Sequence, residues 1–302
     1  MYVTKFLLPV DREEQLLAAR AAENGGRFGY IDNPYPCHLF TKKLSEIELD
    51  RLTIFYGGNG SGKSTLLNLM AAKMELNRIA PYNSGEMFAA YAAACEYELG
   101  WDDEGFRYRI PNGSRIITSD DIFDYMLTMR TNNAEIAEEK AAVKEQYQAI
   151  RGREIGDTVR MRSLDDYEAL RPQVLARRKS VSRREFIRRV AGEEVTLQSN
   201  GETALGYFDA KLKNDTLYCL DEPENSLSPK LQKQLADMLL ELTHYCGCQI
   251  ILATHSPFLL AIPGARIYDL DSSPSVVRDW WELPNVRIYQ EFFERNRSRF
   301  EN

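Results

Sequence analysis

Short, mostly apolar runs punctuate this chain, at Leu52–Tyr56, Leu217–Leu220 and Gln249–Ala253, and Ala265–Leu270 forms a further run broken by Arg266 and Asp269. Each is rich in β-branched, aromatic or leucine side chains and too short for a helix, so each predicts a buried strand. Residues 115–118 predict another. Between the runs the period lengthens. Leu66–Ala72 is a strong helix former, and Thr203–Leu212 predicts a helix as well. In the segment 230–242, Leu231, Leu235, Met238, Leu239 and Leu242 share one face, with Ser228 suited to the N-cap and Pro229 to the first helical position. Ala134–Ile150 places Ile136, Val143, Tyr147 and Ile150 at spacings of seven, four and three, an amphipathic helix with a short coiled-coil seam. Near the end, Trp280, Trp281 and Tyr289–Phe293 predict a terminal helix packed by its aromatics. Strands interleaved with helices define an α/β chain.

Composition narrows the class. Of 302 residues, 44% are apolar and 27% charged, which is ordinary globular usage and excludes a disordered or fibrous chain. No run approaches the roughly 18 apolar residues of a spanning helix, so no membrane insertion is expected. Met1–Pro9 is followed at once by Asp11, Glu13 and Glu14, which is not the pattern of a cleavable leader. The five cysteines are odd in number, Cys219 falls inside a strand run, and Cys246-Gly247-Cys248 lacks metal-ligand spacing. Reduced cysteines in a cytoplasmic protein are the expectation.

Candidate chemistry begins where the Leu52–Tyr56 strand ends. It runs directly into Gly57-Gly58-Asn59-Gly60-Ser61-Gly62-Lys63-Ser64-Thr65 and then into the helix. Strand, glycine-rich loop and helix are the context that the phosphate-binding pattern G-x-x-x-x-G-K-[ST] requires. Glycines let backbone N–H groups converge on phosphate oxygens, and the helix start adds its positive end. Lys63 is placed to reach the outer phosphates, and Ser64 to offer its hydroxyl to Mg²⁺. The expected ligand is a nucleoside triphosphate.

Two further strand ends carry polar groups. Asp221-Glu222-Pro223-Glu224 follows Leu217–Leu220, where an acidic residue beside a phosphate loop holds Mg²⁺. Asp221 takes that role. Glu222 is expected to point elsewhere by strand alternation and to orient or deprotonate the attacking water. Thr254-His255-Ser256-Pro257 closes the Gln249–Ala253 strand, which places the His255 imidazole to meet the γ-phosphate.

Together, Gly57–Thr65, Leu217–Pro229 and Thr254–Pro257 resemble the Walker A, Walker B and switch-histidine segments of ABC-class P-loop ATPases. The likeness is to the soluble branch of SMC-type and recombination-repair ATPases and to small stand-alone bacterial "AAA family" ATPases. It implies a mainly parallel sheet flanked by helices, formed by residues 1–130 and 190–302, with an inserted helical subdomain at 131–189. It implies ATP and Mg²⁺ as cofactors and an ATP-dependent homodimer. The family's signature loop corresponds to Ser199, Asn200, Gly201 and Glu202, with Ser199 22 residues ahead of Asp221. A serine hydroxyl and a glycine amide at a helix start suit the γ-phosphate held by the other subunit. Asn200 stands in place of the first signature glycine, and Ser228 in place of the aspartate usual after Walker B. The Q-loop glutamine has no counterpart in 115–121, which offers only Ser119 or an aspartate. Tyr30, Tyr35 and Phe40 are all candidates for stacking on adenine.

Charge separates the insertion from the rest. Residues 151–190 carry a local charge of +6 within a chain of net charge −7. The density peaks within 171–190, at Arg177–Arg189, which suits nucleic-acid phosphates or an acidic effector protein, and equally a solvated helical face. The functional expectation is an ATP-hydrolysing switch that controls such a partner. A transporter's nucleotide-binding subunit and a slow-hydrolysis regulatory module are the alternatives.

Overall fold

The computed structural model describes residues 1–9, 16, 36, 39, 44–152 and 200–300. Tyr30, Tyr35, Phe40, Ser199 and the basic segment 171–190 lie outside them. The chain divides into two units, Met1–Phe123 with Asn200–Asn302, and Asp124–Ser199.

Among the described residues the strands are β1 (Val3–Leu7), β2 (Glu46–Glu48), β3 (Leu52–Tyr56), β4 (Glu96–Leu99), β5 (Arg115–Thr118), β6 (Leu217–Asp221), β7 (Gln249–Thr254), β8 (Arg266–Asp269) and β9 (Val276–Val277). The helices of four residues or more are α1 (Lys63–Lys73), α2 (Glu86–Ala94), α3 (Ser119–Gly152), α4 (Asn200–Lys211), α5 (Pro229–Tyr245), α6 (Pro257–Leu260) and α7 (Pro284–Arg295).

Six strands form one sheet in the order β5-β6-β7-β3-β8-β9. Every neighbouring pair from β5 to β8 is parallel, and only β9 runs antiparallel. The apolar runs explain this. All five residues of β3 and all six of β7 are buried, as strands covered on both faces must be. One side is covered by α1, which lies against β5, β6 and β7. Leu66, Leu67 and Met70 there join Phe55, Cys219, Ile251 and Ala253 in one core. On α5, Leu235, Leu239 and Leu242 are buried as the spacing predicts, whereas Leu231 and Met238 are half-buried.

The smaller sheet, β2-β1-β4, is antiparallel throughout. Buried Gln249 at the start of β7 clamps it to the larger one. Its Oε1 accepts from the N–H groups of Tyr2 and Val3 at 3.0 and 2.9 Å, and its Nε2 donates to the Val3 carbonyl at 2.6 Å. A buried amide with its bonds made fixes the register of both sheets.

The predicted Ala134–Ile150 helix is part of the longer α3, within which the division between the two units falls at 123–124. In the second unit the described residues are the continuation of α3, with Ile136 and Val143 half-buried. One expectation fails. The terminal helix is present as α7, but its aromatics are not packed: Phe292 is 58% exposed, and Ile288, Tyr289 and Phe293 are exposed with it. Val286 is the buried residue of this helix, Leu283 at its N-cap is buried too, and the Asn285 N–H donates to the Tyr56 hydroxyl at 3.2 Å, so its first turn, not the aromatic row, meets the fold.

Candidate nucleotide site

The loop Gly57–Gly62 links β3 to α1 as the sequence predicts. Gly60 and Gly62 have φ of 80° and 99°, a left-handed backbone that a side chain would strain. Gly57 is constrained differently, because a Cβ there would meet Ser61 Oγ. That Ser61 hydroxyl is itself buried without a hydrogen-bond partner. Helix α1 starts with no side-chain cap and no acidic residue in its first turn. Its leading N–H groups and positive end are therefore left for an anion.

Lys63 is only 4% exposed. Its ammonium donates to the Gly57 carbonyl at 2.7 Å and the Gly58 carbonyl at 3.0 Å, and lies 3.5 Å from Glu222 Oε1. Ser64 Oγ donates to Asp221 Oδ1 at 3.0 Å. The two residues are far apart in sequence, and β7 separates β6 from β3, the strand that leads into the loop before α1, yet hydroxyl and carboxylate meet. Burial pushes the Asp221 carboxyl up from its usual value to about 6, partly offset by the Ser64 hydrogen bond, with Glu222 adding to the rise and Lys63 opposing it. A hard divalent cation fits this pair. It would turn a carboxylate that is costly to ionise into a ligand, with the Ser64 hydroxyl as a second oxygen donor. No group of three or more His, Cys, Asp or Glu side chains forms a metal cage among the described residues. Mg²⁺ in phosphate sites is held in the same sparing way, by one or two carboxylates together with phosphate oxygens.

Glu222 diverges from Asp221 for a reason other than strand alternation. Strand β6 ends at Asp221, and Glu222 takes φ of 47°, in the left-handed region uncommon for a non-glycine residue. The Ala253 carbonyl accepts from its N–H at 2.9 Å, and Asn225 Nδ2 donates to its Oε2 at 3.3 Å. His255, half-exposed at the end of β7, brings Nδ1 to 3.9 Å from Glu222 Oε1 and 3.4 Å from Glu224 Oε1. Lys63, Ser64, Asp221, Glu222 and His255 thus converge. Asn59 and Gly60 are exposed at the loop's tip, and Thr65 is buried in the first turn of α1.

Of the signature residues, Asn200, Gly201 and Glu202 form the first turn of α4. Gly201 is buried, and a Cβ there would lie 2.5 Å from Leu231 Cδ1 and 3.4 Å from the Ser226 carbonyl. The turn therefore packs on the segment that follows Asp221 and Glu222, and Ser226 itself has φ of 72°.

A cleft of about 620 Å³ adjoins the carboxylates, lined in part by Ser64, Asp221, Glu222, Arg78, Ser119 and Asp120. This decides among the candidates at 115–121. Asp121 is spent on structure: its Oδ2 accepts from the Thr118 N–H and hydroxyl at 2.8 and 2.9 Å, and its Oδ1 from the Ala80 N–H at 2.9 Å. The first of these bonds is half of a capping box that starts α3. Ser119 and Asp120 are left facing the cleft. Arg78 was not legible in the sequence. It stacks 3.7 Å over the Tyr82 ring and donates to Asn68 Oδ1 at 3.1 Å, and no spacing signals such a pair. Asp271 gave no signal either, though its two oxygens accept from the Gly58 N–H at 3.0 and 2.9 Å.

Fold and site together define a P-loop nucleotide-binding site at the ends of a mainly parallel α/β sheet. The family described as "AAA domain, putative AbiEii toxin, Type IV TA system" matches residues 191–261, which include Asp221, Glu222 and His255. No curated protein matches the chain. Among solved structures, a putative metal-chelate type ABC transporter in an inward-facing conformation is 18% identical, over 79% of this chain and 76% of that chain. A dimeric ATP-binding cassette in a post-hydrolysis state, bound to ADP and Pi, is 14% identical, over 78% of this chain and 90% of that chain. Both have a TM-score of 0.35, so neither likeness adds to what the sheet itself shows. No helix among the described residues is long and apolar enough to cross a membrane.

Proposed function

We propose that this chain hydrolyses ATP as a two-fold, head-to-tail dimer and uses the cycle to control a partner. The observation that carries the reading is the meeting of Ser64 Oγ with Asp221 Oδ1 at 3.0 Å beside a Lys63–Glu222 pair at 3.5 Å. A phosphate grip, a cation site and a base candidate then share one pocket. Lys63 binds the outer phosphates, and the uncapped start of α1 receives the rest of their charge. Ser64 and Asp221 would hold Mg²⁺, which when bound would supply neutralisation of the charge developing on the phosphates. Glu222 is poised to orient water. It is paired with Lys63 at 3.5 Å, and phosphate drawing Lys63 away would free its Oε1. His255 addresses the γ-phosphate from the end of β7.

Ser199, Gly201 and Glu202 complete the site of the opposite chain in this scheme. The α4 start resting on Ser226 gives that turn a rigid seat next to the hydrolytic residues of its own chain. The partner is a nucleic acid or an acidic effector protein, on the strength of the +6 local charge of 151–190. Glu222→Gln tests the cycle. It should retain ATP, lose turnover and accumulate a dimer on light scattering at saturating Mg·ATP. A variant that stays monomeric there overturns the dimer.

A further inference from the structure

Glu224 belongs to none of the roles above, yet it is 5% exposed and sits between the hydrolytic residues and β7. Its Oε1 accepts from the Thr254 hydroxyl at 2.6 Å and from the His255 N–H at 3.0 Å, and lies 3.4 Å from His255 Nδ1. Thr254 Oγ1 in turn accepts from the Ser256 N–H at 3.0 Å. One carboxylate oxygen therefore organises three consecutive residues. The other, Oε2, is buried with no hydrogen-bond partner.

Burying a carboxylate with one oxygen unpaired is unfavourable, and an amide oxygen would accept the same two bonds without the charge. The charge needs another justification. The neighbour that responds to it is the imidazole. We propose that Glu224 is the positioning residue of His255: its carboxylate keeps the ring proton on Nδ1 and so leaves Nε2 as the nitrogen that meets the nucleotide. Which ring nitrogen is protonated is set by the acceptor that faces the ring. Glu222 Oε1 is the other acid near Nδ1, at 3.9 Å, but it is shared with Lys63 at 3.5 Å. Glu224 is nearer and otherwise uncommitted to a cation.

The assignment of Nε2 to the nucleotide rests on the ATPase reading; the tautomer does not. The test uses the nucleotide-free full chain, ¹⁵N-labelled. With three histidines in the sequence, His255→Asn identifies the His255 ring signals by their loss. The wild-type ring should be the Nδ1–H form, and Glu224→Gln should move it toward Nε2–H. An unchanged tautomer overturns the proposal. In turnover assays Glu224→Gln should lower kcat about tenfold or more with KM for ATP nearly unchanged, while melting no lower than wild type. Loss of melting temperature in step with activity would mark Glu224 as a structural acceptor and overturn the proposal. A wild type without turnover would refute the ATPase reading alone, and the ring spectrum would still decide this one.

Discussion

Replacing Asp221 by asparagine should stabilise the empty protein while disabling it. Folding raises the Asp221 carboxyl from 3.8 to about 6, chiefly through burial. A carboxyl whose folded-state pKa lies above its unfolded value binds its proton more tightly when folded, so ionisation opposes folding. The opposition is absent below about 3.8, grows through the interval up to about 6, and is constant above it. At roughly 1.36 kcal/mol per pKa unit, the ionised Asp221 costs the folded state about 3 kcal/mol near neutral pH. Asparagine keeps an acceptor for the Ser64 hydroxyl and carries no charge. Urea titrations of Asp221→Asn and wild type, with chelator and no nucleotide, should favour the variant by about 2–3 kcal/mol at pH 8. That gap should shrink as pH falls through about 6 toward 3.8. Mg·ATP should then raise the stability of wild type by mass action and that of the variant far less. A variant equal to or weaker than wild type at pH 8 would show that burial does not dominate the Asp221 environment.

Lys63→Ala should lose nucleotide affinity by about 100-fold or more in calorimetry, since it removes the buried cation proposed to grip the phosphates. Unchanged affinity would remove Lys63 from the site. Two glycines of α4 should respond with opposite sign. Gly201→Val would push into Leu231 and the Ser226 carbonyl and should destabilise by about 1–3 kcal/mol in urea titrations. Gly206 is exposed with open space where a Cβ would go, so Gly206→Ala should stabilise by about 0.5–1 kcal/mol.

The central strands of the large sheet, β3, β6 and β7, were legible because they are buried on both faces, whereas exposed β9 gave no signal. Runs such as Ile250–Ala253 have no polar face to confuse the period, and the residues that end them are the functional ones. The small sheet was not legible. Strands β2 and β4 alternate exposed or half-buried positions with few apolar ones, and β1 depends on Gln249, 242 residues beyond its end, for its anchorage. The site divides along the same line. Lys63, Ser64, Asp221, Glu222 and His255 are announced by local motifs. Glu224 and Asp271 act through partners that folding brings near, Thr254 and Gly58; Glu224 stands within a motif that does not state its role, and Arg78 and Asp271 fall in no motif. The left-handed turn at Glu222 escaped for another reason: the strand ends at Asp221, one residue past its apolar run, and leaves the next side chain to the turn, not to the pleat. The aromatics of α7 were misplaced because helical spacing reports which residues share a face, not whether that face is covered.

Lys63 is not a bare cation at the mouth of its loop. Shared between the carbonyls of Gly57 and Gly58, its ammonium closes the loop into a ring and is already stripped of most of its water. On the reading proposed above, entry of a triphosphate is an exchange in which incoming oxygens displace carbonyls from an ion whose dehydration and side-chain ordering were settled when the chain folded. Occupancy would then depend on the difference between two well-made sets of contacts, and release of the nucleotide would be eased by the same carbonyls, which can take the cation back.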